Sequence, residues 1–565
     1  MLSLFQIDFA AREFVWAVCG GLLLALACNR AGSHVSRACR RFAERPWLPV
    51  VCVGLAMFLI QAGVAGRYGW PVPALHDEFS YLLAADTFAS GRATNPTPPA
   101  WEFFETYHVL SRPSYQSKYP PGNGLVLAAG QLLSAQPSVG VWLCLTAATS
   151  GLFWMLRGWF ASRWALVGAV ILMGNWPVTK LWGQTYFGGA PALLGGVLVF
   201  GAFSRLLRRP NSTAAVCLGL GLVTWAITRP YEGLIASVVP LGILGWREIR
   251  GDVRSRSRWL VRVVLPLMSV LICGAWGLGW YHQQVTGSPW KWPYRLYEET
   301  YTRRVGTVST LFSWTPLGTR ERTIPSLEYQ SSAAQMRIAE TKPVLYGFWK
   351  LVRQWWFHVG LLWTCPLGVG CLSAARQVGR PQSAPRPLAW SMISVLLVGI
   401  AVLLQRSAGL PHYAAPIQPL LILLIVQGLR QLGVCRIGTW RVGRGVVRWL
   451  ILSSVLYYAL PLLTGSHRPN VRPWSLERDR IQRELQGHSR PSLVVVKYAP
   501  GHSMHEEWVY NRADISRAPV VWARQLDASR MELLFEQFPD HEMWIVEPDQ
   551  QPVLLRKLTP PELEH

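Results

Sequence analysis

Acidic side chains are rare in the first 465 residues of this 565-residue chain, so their placement is informative. Five of those sixteen acids lie between Asp77 and Glu105, and two of them, Asp77 and Glu78, are adjacent. They open the stretch HDEFSYLLAADTFASGR, whose periodicity puts Phe79, Leu82, Leu83 and Phe88 on one face and predicts a helix lying along a membrane surface. Carboxylates at its N-terminus are favoured by the helix dipole. Such a position suits a group that takes a proton from a nucleophile. An isolated Asp-Glu pair is ordinarily no more than a wet helix start. What sets this one apart is the rest of its segment, where SKYPPGNGLVLAAGQLL follows and Pro120-Pro121-Gly122 opens an apolar run, 125–133, too short to span a bilayer. A second constellation, His502 and His505 beside Glu506 and Glu507, has the wrong order for a zinc-protease helix and no third ligand at a fitting spacing. A solvated loop is expected there.

The elements that must position these groups are set by composition. Half of the residues are hydrophobic (51%), only 15% are charged and 29 are Trp, a balance that excludes an ordinary soluble enzyme, a disordered chain and a disulfide scaffold. Sliding a window of about 20 apolar residues along the chain predicts spans at 47–65, 138–156, 164–182, 187–203, 214–228, 233–246, 259–280, 346–372, 388–404, 411–428 and 446–463. A shorter twelfth, 14–28, also fits a signal-anchor in length, but Asp8 and Glu13 leave no basic region before it and it reads as a retained helix. The ten Cys carry no metal-ligand spacing and read as small buried hydrophobes.

The net charge of +24 explains itself in the same frame. Residues 466–565 hold 13 basic and 15 acidic side chains, so the excess belongs to the apolar part. There the arginines fall on alternate loops, at 30–45, 157–163, 205–209, 247–262, 376–386 and 430–448, which assigns these loops to the cytoplasm. The opposite loops, 66–137, the turns near 184 and 230, 282–343 and 406–410, then face outward, as does everything after residue 464. A topology signal replaces nucleic acid as the meaning of the charge. The domain plan is a transmembrane part, 1–465, whose first outer loop, 66–137, carries the chemistry, and a periplasmic domain, 466–565. Apolar runs at 493–496, 520–522 and 544–546, a helical window at 529–538 and an amphipathic helix at 472–486 predict a small α/β unit there. The aromatic and basic segment 290–304 reads either as an acceptor-side loop or, more ordinarily, as interfacial anchoring.

Asp77-Glu78 with Tyr81 and Ala84-Ala85 behind them, then Tyr119-Pro120-Pro121-Gly122 leading into a short apolar helix, all follow an in-to-out helix. In this the chain resembles the membrane glycosyltransferases of the C-type fold, in particular the family 39 group of protein O-mannosyltransferases, lipid A aminoarabinose transferases and their bacterial relatives. The resemblance covers 47–246 well and the later helices in overall pattern, and the extra N-terminal helix departs from it. It implies an α-helical polytopic membrane protein of about 11–12 transmembrane helices, with a small extracytoplasmic C-terminal α/β domain, in the bacterial inner membrane. It also implies inverting transfer of a sugar from a polyprenyl-phosphate donor to a glycan, lipid or protein acceptor, with Asp77 as general base and Glu78 orienting it or holding a metal or the acceptor. The leaving phosphate needs cationic or hydrogen-bonding partners. Lys118, Arg229, Arg406 and His412-Tyr413 sit where the topology lets them serve, with Tyr81 beside them. Arg229 pairing with Glu232 across a tight turn and His412 as an interfacial histidine are the plainer alternatives. His412 stands where many relatives have Arg. A divalent metal ion is the one cofactor for which this leaves room, and no nucleic acid partner is expected. The rival class, a lipid-linked sugar transporter or a non-catalytic assembly protein, would place its ionisable groups near mid-bilayer, where this chain has almost no acids.

Overall fold

The structure is a computed structural model, which describes residues 11–27, 32–250, 253–302, 341–378, 387–405, 409–436, 438–440, 442–465 and 472–558. Each of the twelve apolar segments is helical. Among the described residues, seven helices are long and apolar enough to cross a membrane, and nine if two bent pairs each count as one span. Ala11–Ala27, Ser212–Ala226 and Pro230–Ile249 account for the remaining three predicted segments and fall short of that length or apolarity.

Two predicted spans are not straight. The segment 164–182 is broken into Ser162–Met173 and Trp176–Gly183, bent by 59°. The break is coded locally: Asn175 takes an extended backbone, its side chain accepts from the Val178 amide, and Pro177 sits where a missing N–H costs nothing. The segment 346–372 is two helices, Pro343–His358 and Gly360–Val378, at 97° to each other. Gly360 between them has φ +67, a left-handed turn that ends the first helix.

The arginine-rich loops meet at one end of the bundle. Arg157 donates to the carbonyl of Pro46, Arg205 to that of Trp154, Arg208 to Gly158 and Arg247 to Leu207, while Arg430 lies over the ring of Phe160. The Asp77 loop occupies the other end, and its helix, His76–Ala89, differs from expectation. It does not lie on a surface with one apolar face, because it is covered on nearly all sides. Tyr81 and Ala85 belong to the core of the membrane part, whereas Phe79 and Leu83 belong to clusters completed by the C-terminal domain. That domain carries a four-stranded sheet in which Val520–Arg524, Ser492–Val496 and Glu542–Glu547 are parallel neighbours and Leu554–Lys557 joins antiparallel at the edge. The last strand has no clean alternation in sequence and was not foreseen.

The clustering of arginines generates a test of orientation. Reporter fusions after Arg254 and after Gln486 should show opposite activities, cytoplasmic at the first and external at the second. Equal cytoplasmic activity at both points would overturn the assignment of ends.

Candidate active site

Asp77 stands in the first turn of its helix, and the residue that anchors this turn is its neighbour. Glu78 is buried, and its two oxygens accept from backbone amides, Oε2 from Ala74 at 3.0 Å and Oε1 from Tyr186 at 3.1 Å. The first bond reaches back to the residue before the cap position, where Leu75 has no side-chain oxygen to offer. The second ties the helix to the turn between two membrane helices. Burial raises the Glu78 carboxyl to about 7 even though both amides favour its charge. With each oxygen on a backbone amide, Glu78 is a clamp between segments.

Asp77 points elsewhere. Its Oδ1 lies 3.1 Å from His108 Nδ1 and accepts from the Tyr119 hydroxyl, which is itself 2.9 Å from the same ring nitrogen. A small antiparallel sheet brings these groups together: Val109–Leu110 pairs with Ser114–Ser117, Val109 opposite Ser117, so His108 and Tyr119 flank one end of the hairpin. The Lys118 amide donates to the His108 carbonyl at 3.2 Å and continues the pairing. His108 adopts φ +63, uncommon for a residue with a side chain, which turns its ring toward Asp77. Burial acts to raise the Asp77 carboxyl, but the hydrogen bonds and charge of His108 and the Tyr119 hydroxyl outweigh it and hold the group well below the usual carboxylate range. Burial and the Asp77 charge push the Tyr119 phenol well up, so it stays a donor. Asp77 keeps 24% of its side-chain surface exposed, enough to be reached.

Gly122 brings the cations in. Its amide donates to the Ile227 carbonyl at 2.7 Å, and a Cβ there would meet Thr228 Cγ2 at 2.4 Å, so only glycine lets the Pro-Pro helix start seat beside Arg229. The Arg229 guanidinium lies 5.0 Å over the Tyr413 ring, and its buried Nε has no hydrogen-bond partner among the described residues. Glu232, the alternative partner, accepts from Gln405 at 3.1 Å and acts on Arg229 through its charge. His412 is buried, stacked on Phe187 at 5.3 Å, and its Nδ1 is likewise without a partner. Tyr81 packs on Tyr119 at 4.7 Å. Asp77, Tyr81, Tyr119, Arg229, His412 and Tyr413 thus form one cluster whose members lie within electrostatic reach of one another.

Lys118 is buried, 3.9 Å from Glu298, over the rings of Tyr294 and Tyr297 and 5.6 Å from the ring of Tyr119, so it fastens the loop beside the Asp77 cluster. Arg406 lies outside the described residues. Sequence reasoning missed His108, which carries no motif, and undervalued the 290–302 segment: Tyr297 accepts the His108 amide at 3.1 Å, so its aromatics brace the site as well as any interface. The expected solvated loop is only partly so. His502 pairs with Asp549 at 2.6 Å, Glu507 is buried against Arg524, and the His505 ring comes within 6.1 Å of His76. Among the described residues no three His, Cys, Asp or Glu side chains converge as metal ligands.

No family model and no curated protein matches the chain. Solved structures do match in shape. ArnT from Cupriavidus metallidurans in the apo state covers 88% of this chain and 92% of its own at 13% identity, with a TM-score of 0.50. The apo form of the Archaeoglobus fulgidus oligosaccharyltransferase matches 88% of this chain and 69% of its own at 11% identity, with a TM-score of 0.51. The same protein tethered to an acceptor peptide containing the NVT sequon matches at 0.50, with 11% identity over 90% of this chain and 69% of its own. The chain is a polytopic membrane protein of the C-type glycosyltransferase fold.

The clamp at Glu78 predicts a stability phenotype. Glu78→Gln places an NH₂ group against a backbone N–H, leaving a buried donor unmet at a cost of about 1–3 kcal/mol. Its Tm in detergent should fall, whereas that of Asp77→Asn should not. A carboxyl with a folded pKa above its ordinary one binds its proton more tightly when folded, so its contribution is lost as pH rises. The gap in Tm between wild type and Glu78→Gln should therefore narrow as pH rises from 4.5 to about 7. A constant gap would remove the clamp's titration from the account.

Proposed function

We propose that this protein is a membrane glycosyltransferase of the family 39 kind. It moves a sugar from a polyprenyl-phosphate donor to an extracytoplasmic glycan, lipid or protein acceptor. The observation that carries this is the cluster itself: a partly exposed carboxylate held toward its charged form on one side, and on the other a guanidinium and an imidazole, each with a buried nitrogen that has no hydrogen-bond partner among the described residues. Buried donors without partners are costly and mark a place where a ligand supplies the acceptor atoms.

In the reaction an acceptor hydroxyl or amine attacks the anomeric carbon and gives its proton to Asp77. The sugar's bond to the phosphate breaks, and the anomeric configuration inverts. The phosphate leaves with the electron pair, its charge met by Arg229 and the ring of His412. Tyr413 backs the guanidinium, and Tyr81 backs Tyr119. His108 and Tyr119 aim Asp77 while leaving part of its surface open. A lipid-borne donor explains why the site sits at the end of a helical bundle. With the arginine end in the cytoplasm of a bacterial inner membrane, the pocket and the C-terminal domain face the periplasm.

Asp77→Asn keeps shape but cannot take the proton, so transfer by purified protein from a polyprenyl-phosphate sugar should fall by at least about 10²-fold while donor binding persists. Arg229→Met should do the reverse and weaken donor affinity first. Near wild-type transfer by Asp77→Asn would remove the catalytic assignment, and loss of donor affinity alone in both variants would favour a binding protein over an enzyme.

A further inference from the structure

The helix bearing Asp77 has two working faces. Residues 77, 81 and 85 look toward the membrane part and the pocket, whereas 76, 79, 83 and 86, at helical spacing, look away from it. The second face is where the C-terminal domain docks, through one extended segment, 508–513, that runs along the helix. At the start, His76 Nδ1 is 2.6 Å from the Tyr510 hydroxyl. One turn on, the Phe79 ring stacks on the Tyr510 ring, with centroids 4.2 Å apart and planes within 3°. At the far end, Asp86 accepts from the Ala513 amide at 2.9 Å, with the Arg512 guanidinium 3.4 Å away.

The segment is rigid on its other side. The buried Arg478 guanidinium donates to the carbonyls of Trp508 at 2.9 Å and Tyr510 at 2.8 Å, and also lies over the Phe79 ring. Asn511 bonds the backbone of Trp522 in both directions, at 2.7 and 2.8 Å, and so joins the segment to the middle of an edge strand of the sheet. The helix therefore lies between a membrane bundle and a strut built into a folded domain. His76 and Asp77 are consecutive in its first turn, so a bond that holds His76 limits the rotation of the turn that presents Asp77, alongside the Glu78 clamp and the hairpin contacts.

We infer that the C-terminal domain is a working part of the active site, with Tyr510 as a positioning residue that sets Asp77 through His76. This rests on the reading of Asp77 as the base and goes beyond it, because it assigns to the domain a role in the rate of the chemical step rather than in the choice of acceptor. A displacement of about 1 Å at a reacting group costs on the order of 10²-fold in rate, and loss of one aligning hydrogen bond should cost about tenfold.

The test uses the full chain in detergent and, as substrate, a lipid extract of the source membranes with its polyprenyl-phosphate sugar labelled. Sugar released to water or to co-extracted acceptors is counted. Tyr510→Phe keeps the ring on Phe79 and removes only the hydroxyl; His76→Leu removes the partner; His76→Asn retains a polar atom near the place of Nδ1. The expected result is a kcat about tenfold lower in Tyr510→Phe and His76→Leu, with KM, donor affinity and Tm unchanged. The double variant should be no slower than the slower single, and His76→Asn should recover most of the rate. Wild-type kcat in Tyr510→Phe overturns the inference, as does a loss that follows Tm through the whole series. Asp77→Asn in the same assay separates the two levels. If it is inactive while Tyr510→Phe is wild type, only the positioning role falls; if it turns over normally, the reading of Asp77 as base falls and the positioning role with it.

Discussion

Everything at the outer end of this molecule turns on keeping one carboxylate charged where burial opposes charge. Asp77 sits beneath a folded domain and beside a hydrophobic bundle, and desolvation alone would protonate it. A histidine and a tyrosine hydroxyl on one oxygen reverse that balance. Because both partners come from the ends of a single hairpin, the hairpin's register is also the geometry of the site. The braces around it, Lys118 on Glu298 and Tyr297 on the His108 amide, read as devices for holding that register.

The acidic pair shows how environment divides labour between like residues. Adjacent positions on a helix point about 100° apart, so Asp77 faces the pocket and Glu78 faces the turn at Tyr186. One meets side chains that can carry charge or donate strongly, and its carboxyl is pulled down. The other meets only backbone amides in a tightly closed space, and its carboxyl is pushed up to about 7. Two adjacent acids thus yield one group kept in its charged form and one that holds a helix.

The far side of the pocket is built on a different principle. Arg229 and His412 are placed by the ends of membrane helices, with aromatic surfaces from Tyr413 and Phe187 against them rather than carboxylates. Aromatic faces support a cation without neutralising it. A carboxylate partner would have occupied the nitrogens that the structure leaves open.

The apolar runs, the alternation of arginines and the Asp77-Glu78 and Pro-Pro signals were legible in sequence, because lipid demands about 20 apolar residues per crossing and because a helix start has a local code. The three parallel strands of the C-terminal sheet were legible for the same kind of reason, as short apolar runs. The burial of the Asp77 helix on both faces, the capture of Lys118 by Glu298 and the part played by His108 were not. Each depends on a partner distant in the chain: His108 on a hairpin register, Lys118 on residue 298, His76 and Phe79 on Tyr510 more than 400 residues away. Periodicity reports which side chains share a face, but what that face meets is decided only when separate elements close on one another and shut out water.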